Sequence, residues 1–257
     1  MTESNAGRIT WYELMTTNPA GAIAFYSEVI GWKTQVWGAD YTMWLSSQGP
    51  LGGAMTLPEP AQKMGAPPHW MASVQVADVD RTVAKVRELG GAVYLEPRDL
   101  PEIGRYAVLA DPQGAVLSVI APAREMPAPD STKHGEFCWS ELITTDQNAA
   151  MAFYQTIFGW ERLLDHDMGP MGVYVIYGRK GQQLGGIFAK PKDSPMPTAF
   201  LHYVQVDDLE AAITRAKNSG GKLVHGPMEV PGGARIAQLM DPQGAMFALH
   251  ALAKPAS

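Results

Sequence analysis

Apolar positions in the first half of the chain switch between two periods. Ile9 to Met15 mixes β-branched and aromatic residues as a strand does, and after Asn18-Pro19 the residues Ala22, Phe25, Tyr26, Val29 and Ile30 recur at helical spacing. Asn18 suits an N-cap, Pro19 suits the first turn, and Gly31 suits the stop. Strand patterning then returns over positions 41–47 and 51–57, joined at the turn signal Gln48-Gly49-Pro50, and again over 70–76. A second helix is predicted over 79–89, capped by Asp78, stopped by Gly90-Gly91, and burying Val79, Val83, Val86 and Leu89. Strands at about 92–97, 105–110 and 115–120 complete the half, the last two joined by the tight turn from Asp111 to Gly114. The pattern is βαβββ, twice over.

The second half repeats the first. Trp11-Tyr-Glu-Leu returns as Trp139-Ser-Glu-Leu, Phe25-Tyr26 as Phe153-Tyr154, and Gly31-Trp32 as Gly159-Trp160, all at an offset of 128 residues. Asp78, Gly90-Gly91, Arg105 and Asp111-Pro-Gln-Gly-Ala115 return as Asp208, Gly220-Gly221, Arg235 and Asp241-Pro-Gln-Gly-Ala245 at an offset of 130. A period this long means two copies of one domain rather than a solenoid. The expected division is a first domain at 1–122, a Pro-rich polar linker at 123–134, and a second domain at 135–257.

Composition narrows the function classes. With 46% hydrophobic and 18% charged residues, the chain has the makings of packed cores rather than disorder. A net charge of -6 has the wrong sign for gripping a phosphate backbone, so no nucleic-acid partner is expected. No apolar stretch approaches the roughly 18 residues needed to cross a bilayer, so no membrane partner is expected either. The single cysteine, Cys138, cannot form an intrachain disulfide, and the first residues lack the basic-then-apolar order of a signal peptide, so a cytoplasmic location is expected. Phosphate-loop, dinucleotide and serine-nucleophile motifs are lacking.

The Phe-Tyr near the end of the first helix, the Gly-Trp after it, the Val-x-Asp before the second helix, and the Asp-Pro-Gln-Gly hairpin together resemble the vicinal oxygen chelate superfamily, which holds glyoxalase I, bleomycin resistance proteins and extradiol dioxygenases. The resemblance covers about residues 8–121 and 136–252. It implies an α+β fold of two tandem domains, each built of two βαβββ modules whose sheets curl into an incomplete barrel with a cavity. It also implies metal ligands, usually His, Gln or Glu, on the first, fifth and eighth strands of each module pair. Counted from the same motifs, those positions hold Trp11, Met71 and Ser118 in the first copy and Trp139, Leu201 and Ala248 in the second. None is a ligand suited to zinc, iron or manganese, so neither a metal nor another cofactor is expected.

Other chemistry is available on the same strands. Trp11, Glu13 and Met15 share one strand face, as do Trp139, Glu141 and Ile143. If that face is the inner one, each cavity sets a carboxylate among apolar groups, where it needs a partner, and Arg105 and Arg235 are the candidates. Trp44, Met71, Ser73 and Ser118 are expected to complete the first pocket, and Tyr174, Leu201, Tyr203, Ala248 and His250 the second. Glu13 and Glu141 are candidate general bases, although a structural ion pair is the plainer reading of both. His202 is expected on the helix-facing side, Cys138 on the face opposite Glu141, and Asp165-His166-Asp167 in a solvated loop. The expected function is metal-free binding of a small apolar or aromatic molecule by a monomer or homodimer. The alternative is a lyase, isomerase or dioxygenase of the glyoxalase type acting on a small oxygenated substrate.

Overall fold

The computed structural model describes residues 5–124 and 128–253; part of the expected linker, 125–127, lies outside the described residues. The first copy runs β1 (Ile9–Thr16), α1 (Pro19–Val29), β2 (Lys33–Val36), β3 (Tyr41–Ser46), β4 (Gly49–Thr56), a short α2 (Glu59–Lys63), β5 (His69–Gln75), α3 (Val79–Glu88), β6 (Ala92–Leu100), β7 (Gly104–Ala110) and β8 (Val116–Pro122). The second runs β9 (Phe137–Thr144), α4 (Gln147–Phe158), β10 (Glu161–Asp167), β11 (Val173–Arg179), β12 (Gln182–Ala189), β13 (Ala199–Gln205), α5 (Leu209–Asn218), β14 (Lys222–Glu229), β15 (Arg235–Met240) and β16 (Met246–Ala251). Each copy is one eight-stranded sheet that does not close, ordered β2-β3-β4-β1-β5-β8-β7-β6 and β10-β11-β12-β9-β13-β16-β15-β14. Asn18 and Asp78 cap their helices as expected, and Asp146 and Asp208 do the same in the second copy, each accepting a backbone N–H of the first turn. Asp165-His166-Asp167 departs from expectation by closing β10, a strand at the sheet edge, where Arg162 pairs with Asp165 at 2.6 Å.

Contacts divide the chain into two compact units, and each unit draws on both copies. One holds Met1–Trp11, Met71–Ala128 and Trp139–Phe200; the other holds Tyr12–Trp70, Pro129–Cys138 and Leu201–Ser257. In the first unit Phe153, Tyr154, Phe158, Trp160 and Tyr177 pack with Val83, Val86, Leu109 and Leu117. In the second, Tyr26, Trp32, Trp44, Trp70 and Phe137 pack with Ile213, Leu239 and Phe247.

The repeated motifs build these two cores in the same way. The Tyr154 hydroxyl donates to Asp111 Oδ2 at 2.9 Å, and the Trp160 indole N–H donates to the Gly7 carbonyl at 2.7 Å. In the other unit Tyr26 donates to Asp241 Oδ2 at 3.2 Å, and Trp32 donates to the Gly135 carbonyl at 2.7 Å. The remaining oxygen of each aspartate accepts two N–H groups of its own hairpin, Gln113 and Ala115 or Gln243 and Ala245. The Phe-Tyr, Gly-Trp and Asp-Pro-Gln-Gly signatures are thus latches in which one copy's helix grips the other copy's turn. Burial pushes both aspartate carboxyls above, and both tyrosine hydroxyls well above, their ordinary pKa values.

Candidate functional site

Strand alternation assigns the faces. Leu14 of β1, Trp44 of β3 and Val204 of β13 lie in a helix-side core, so Glu13, Tyr41 and Tyr203 point from the opposite face. On that face the Tyr41 hydroxyl donates to Glu13 Oε1. The second copy repeats the arrangement and extends it. Tyr174 donates to Glu141 Oε2 at 2.8 Å while its oxygen accepts the Trp139 indole N–H at 3.0 Å. Each carboxylate is half-buried. A hydrogen bond to a carboxylate is of the stronger, charge-assisted kind, so each pair holds a tyrosine ring in one fixed pose.

Glycine makes that pose possible. A Cβ on Gly53 of β4 would sit 2.1 Å from the Tyr41 hydroxyl oxygen, and one on Gly186 of β12 would sit 2.0 Å from that of Tyr174. No real side chain tolerates such a distance, so the ring crosses the strand only where a glycine clears the way. Sequence reasoning missed Tyr41 by choosing Trp44. The signal was present, because Tyr41 with Gly52-Gly53 recurs as Tyr174 with Gly185-Gly186 at one shared offset of 133.

Three further expectations are corrected. Trp44 lines no pocket: it is fully buried among Tyr26, Trp32 and Trp70, because it sits an odd number of residues from Tyr41. Arg105 does not partner Glu13, but pairs with Asp80 of α3 at 2.5 Å and Asp99 at 3.0 Å. Arg235 likewise pairs with Glu210 of α5 at 2.5 Å rather than with Glu141. Alternation explains both, since Arg105 shares a face with buried Ala107 and Leu109, and Arg235 with buried Ala237 and Leu239, under the helices. The Arg105 guanidinium holds the Asp80 carboxyl below its usual range.

The remaining candidates fall on two small sheet faces. In the first copy β5 and β8 pair in register at Ser73 and Ser118, and the two hydroxyls bond to each other; both are buried, as is Met71. In the second, β13, β16 and β15 align Tyr203 with Ala248 and Gln238, and Gln205 with His250 and Ile236. Gln238 Nε2 donates to the Tyr203 oxygen at 3.1 Å, and His250 Nδ1 lies 2.7 Å from Gln205 Oε1. Leu201 and Ala248 are buried there. Gln205 and Gln238 were not anticipated. Burial lowers the His250 pKa, and it pushes wholly buried His202, edge-on to Tyr12 and Phe137, down to about 3. The Cys138 thiol, pushed up to about 12 by burial, donates to the Tyr203 carbonyl and is no nucleophile at neutral pH. A surface groove of about 630 Å³ lined by Gly7, Arg81, Thr82, Lys85, Glu88 and Thr156 shares no residue with either tyrosine–glutamate pair.

The glyoxalase/bleomycin resistance protein/dioxygenase superfamily model matches this chain twice, over residues 8–119 and 137–249. The chain belongs to that superfamily. It is 30% identical over 255 residues to "Putative glyoxylase CFP32" of Mycobacterium tuberculosis, covering 96% of this chain and 95% of that protein. It is 29% identical over 264 residues to the anthracycline biosynthesis protein DauV of Streptomyces sp. strain C5, covering 97% and 94%. Among solved structures, it resembles a Mn(II)-bound glyoxalase from Novosphingobium aromaticivorans (TM-score 0.65, 15% identity, 97% of this chain and 83% of that one). It also resembles the 2,3-dioxygenase LapB from Pseudomonas sp. KL28 (TM-score 0.66, 12% identity, 97% and 93%). At such identities the structural likeness is one of fold.

The three positions per copy at which the resemblance implies metal ligands carry no matching donor set. The three expected positions offer indole, thioether and hydroxyl in one copy, and indole, isobutyl and methyl in the other, and Ser118 is already bonded to Ser73. Among the described residues, no three His, Cys, Asp or Glu side chains come together in a group able to hold a metal ion. Hard divalent ions need several oxygen or imidazole donors, and of these positions only Ser118 carries an oxygen, already bonded to Ser73.

Proposed function

We propose that this superfamily member binds a small apolar or aromatic molecule without a metal, using the faces that carry the Glu13–Tyr41 and Glu141–Tyr174 pairs. The observation that carries the reading is the pairing itself. Where the superfamily fold positions a metal, this chain offers indoles and aliphatic groups, and it commits the nearby carboxylates to tyrosine hydroxyls. An apolar and aromatic surface with a few fixed polar groups is the usual composition of a small-molecule site. The relative named for anthracycline biosynthesis, similar over nearly its whole length, is consistent with an aromatic ligand. Trp139 then serves as wall beside the Glu141–Tyr174 pair, and the glutamates orient rather than react.

A second reading is a lyase, isomerase or dioxygenase with Glu13 or Glu141 as general base. The relative named as a glyoxylase favours it. Thermal unfolding of chelator-treated protein separates the two. The binding reading expects small aromatics to raise the apparent Tm, as any ligand specific to the native state does, with no turnover of a 2-oxoaldehyde and thiol. Turnover that chelation abolishes, with no shift from any aromatic, overturns it.

A further inference from the structure

The C-terminal ends of α1 and α4 hold equivalent places in the two copies and are finished differently. At the end of α1, side chains of the same compact unit satisfy the last carbonyls. Arg215 of α5 donates to the Val29 carbonyl through Nη2 at 2.8 Å and Nε at 3.2 Å, and His134 Nε2 lies 2.7 Å from the Ile30 carbonyl oxygen. The His134 Nδ1 accepts the Asp207 N–H at 3.2 Å, so the ring proton sits on Nε2 and points at that oxygen. Such donors suit a helix C-terminus, where carbonyls lack an intrahelical partner and the dipole is negative.

At the end of α4 the same positions are Ile157 and Phe158, and by the offsets of the repeat Ala6 stands for His134 and Lys85 for Arg215. The Ala6 methyl group donates nothing, and the Lys85 ammonium turns to Glu88 at 2.8 Å. Among the described residues no hydrogen bond reaches either carbonyl, and the Phe158 oxygen lies against Gly7, where any Cβ would collide with it. The groove of about 630 Å³ opens at this place, lined by Ala6, Lys85, Ile157 and Phe158 and by Arg81, and it lies wholly within one compact unit. Its volume is that of a small-molecule site. Arg81 has no ion pair among the described residues, and its own backbone N–H occupies Asp78 Oδ1.

A ligand that completes this helix end does what Arg215 does in the other copy, presenting planar N–H donors to the carbonyls. A simple cation would be repelled by Arg81, whereas a carboxylate on the same molecule turns that charge into an attraction. Arg81 and Lys85 stand one turn apart, about 6 Å along α3, so a short chain spans both ends. We infer that this groove binds a guanidino acid, a small molecule whose guanidinium meets the α4 carbonyls and whose carboxylate meets Arg81. The groove shares no residue with the glutamate–tyrosine pairs, so the inference stands apart from the metal-free binding reading.

The test uses the full chain and two probes of equal shape, 4-guanidinobutanoate and its apolar isostere 6-methylheptanoate, followed by calorimetry and amide NMR. The guanidino acid should bind one to one with a Kd of about 1 mM or tighter, and the isostere about tenfold more weakly, the worth of one good hydrogen bond. The amide shifts should centre on Ala6, Lys85 and Phe158. Arg81→Ala, at an exposed position, should weaken the guanidino acid about tenfold. Ala6→His combined with Lys85→Arg should rebuild the end found in the other copy, raising Tm and abolishing binding. No binding of the guanidino acid, equal binding of the isostere, unchanged affinity in Arg81→Ala, or shifts centred on Glu141 and Tyr174 overturns the inference. Each of these results leaves the response to small aromatics untouched, so the two readings fail separately.

Discussion

The two copies share a backbone plan and differ in what their sheets display. On β5 and β8 the buried Ser73 and Ser118 hydroxyls bond to one another. On β13, β16 and β15 the corresponding positions hold Tyr203 and Ala248, and polar capacity moves two residues along to Gln205 and His250. The helix-side latches show no such divergence: Tyr154–Asp111 and Trp160–Gly7 match Tyr26–Asp241 and Trp32–Gly135 group for group. Duplication has kept the joints constant and let the displayed faces drift. The repeated latches therefore report on folding, whereas on the displayed faces the glutamate–tyrosine pairs repeat and their neighbours do not.

If the latches are equivalent, breaking either one should cost the same. Trp160→Ala and Trp32→Ala each remove a buried indole and leave a buried carbonyl without its donor, so each should lose about 3–5 kcal/mol in denaturant melts. A large loss in one and none in the other breaks the comparison.

The glycine clearances should cost less and should be rescuable. Gly186→Ala drives a methyl group into the Tyr174 ring, and Gly53→Ala does the same to Tyr41; overpacking of this kind costs about 1–3 kcal/mol. Adding Tyr174→Ala or Tyr41→Ala to the respective variant should recover much of the clash penalty, which a double-mutant cycle measures as coupling. Strict additivity would show that the rings do not lie where the glycines allow.

The smallest effect is a slope. His202 is held neutral by burial with a pKa of about 3, below the unfolded value near 6.5, so the unfolded chain binds its proton first. Its contribution to stability is fully present above about pH 6.5 and drains away as pH falls toward 3. The buried Asp111 and Asp241, with raised pKa values, act in the opposite sense, losing stability as pH rises from the ordinary carboxylate range through their folded values. The informative quantity is therefore the difference between wild type and His202→Gln, which should shrink as the pH is lowered from 7 to 4. A constant difference would place a charged imidazole in that core.

Much of this was legible in the chain. The four βαβββ modules, the helix caps and the hairpin turns followed from period and punctuation, since each depends on local chemistry. The site was legible only in part. Glu13, Glu141 and Trp139 lie opposite the buried Leu14 and Leu142, as the unbroken alternation of β1 and β9 predicts. Trp44, Arg105 and Arg235 do not lie where expected, because a strand's facing is fixed by what packs beneath it, and a shift of one residue turns it over. For the arginines the clue was present in buried Ala107 and Leu109, or Ala237 and Leu239, at the same parity. For Tyr41 the clue was the repeated glycine pair, whose meaning depends on a ring three strands of sequence pattern could not reveal. The Gln205–His250 bond joins two strands 45 residues apart and had no local signal at all.

The most direct test of the central claim is the metal content of the full chain, purified without chelator, then dialysed against zinc, manganese, iron(II) and nickel in turn and analysed by mass spectrometry for bound ions. The account predicts retained metal far below one ion per chain for every ion, with the Tm shift from small aromatics unchanged by chelator. One tightly held ion per chain, whose removal abolishes ligand binding, would contradict it.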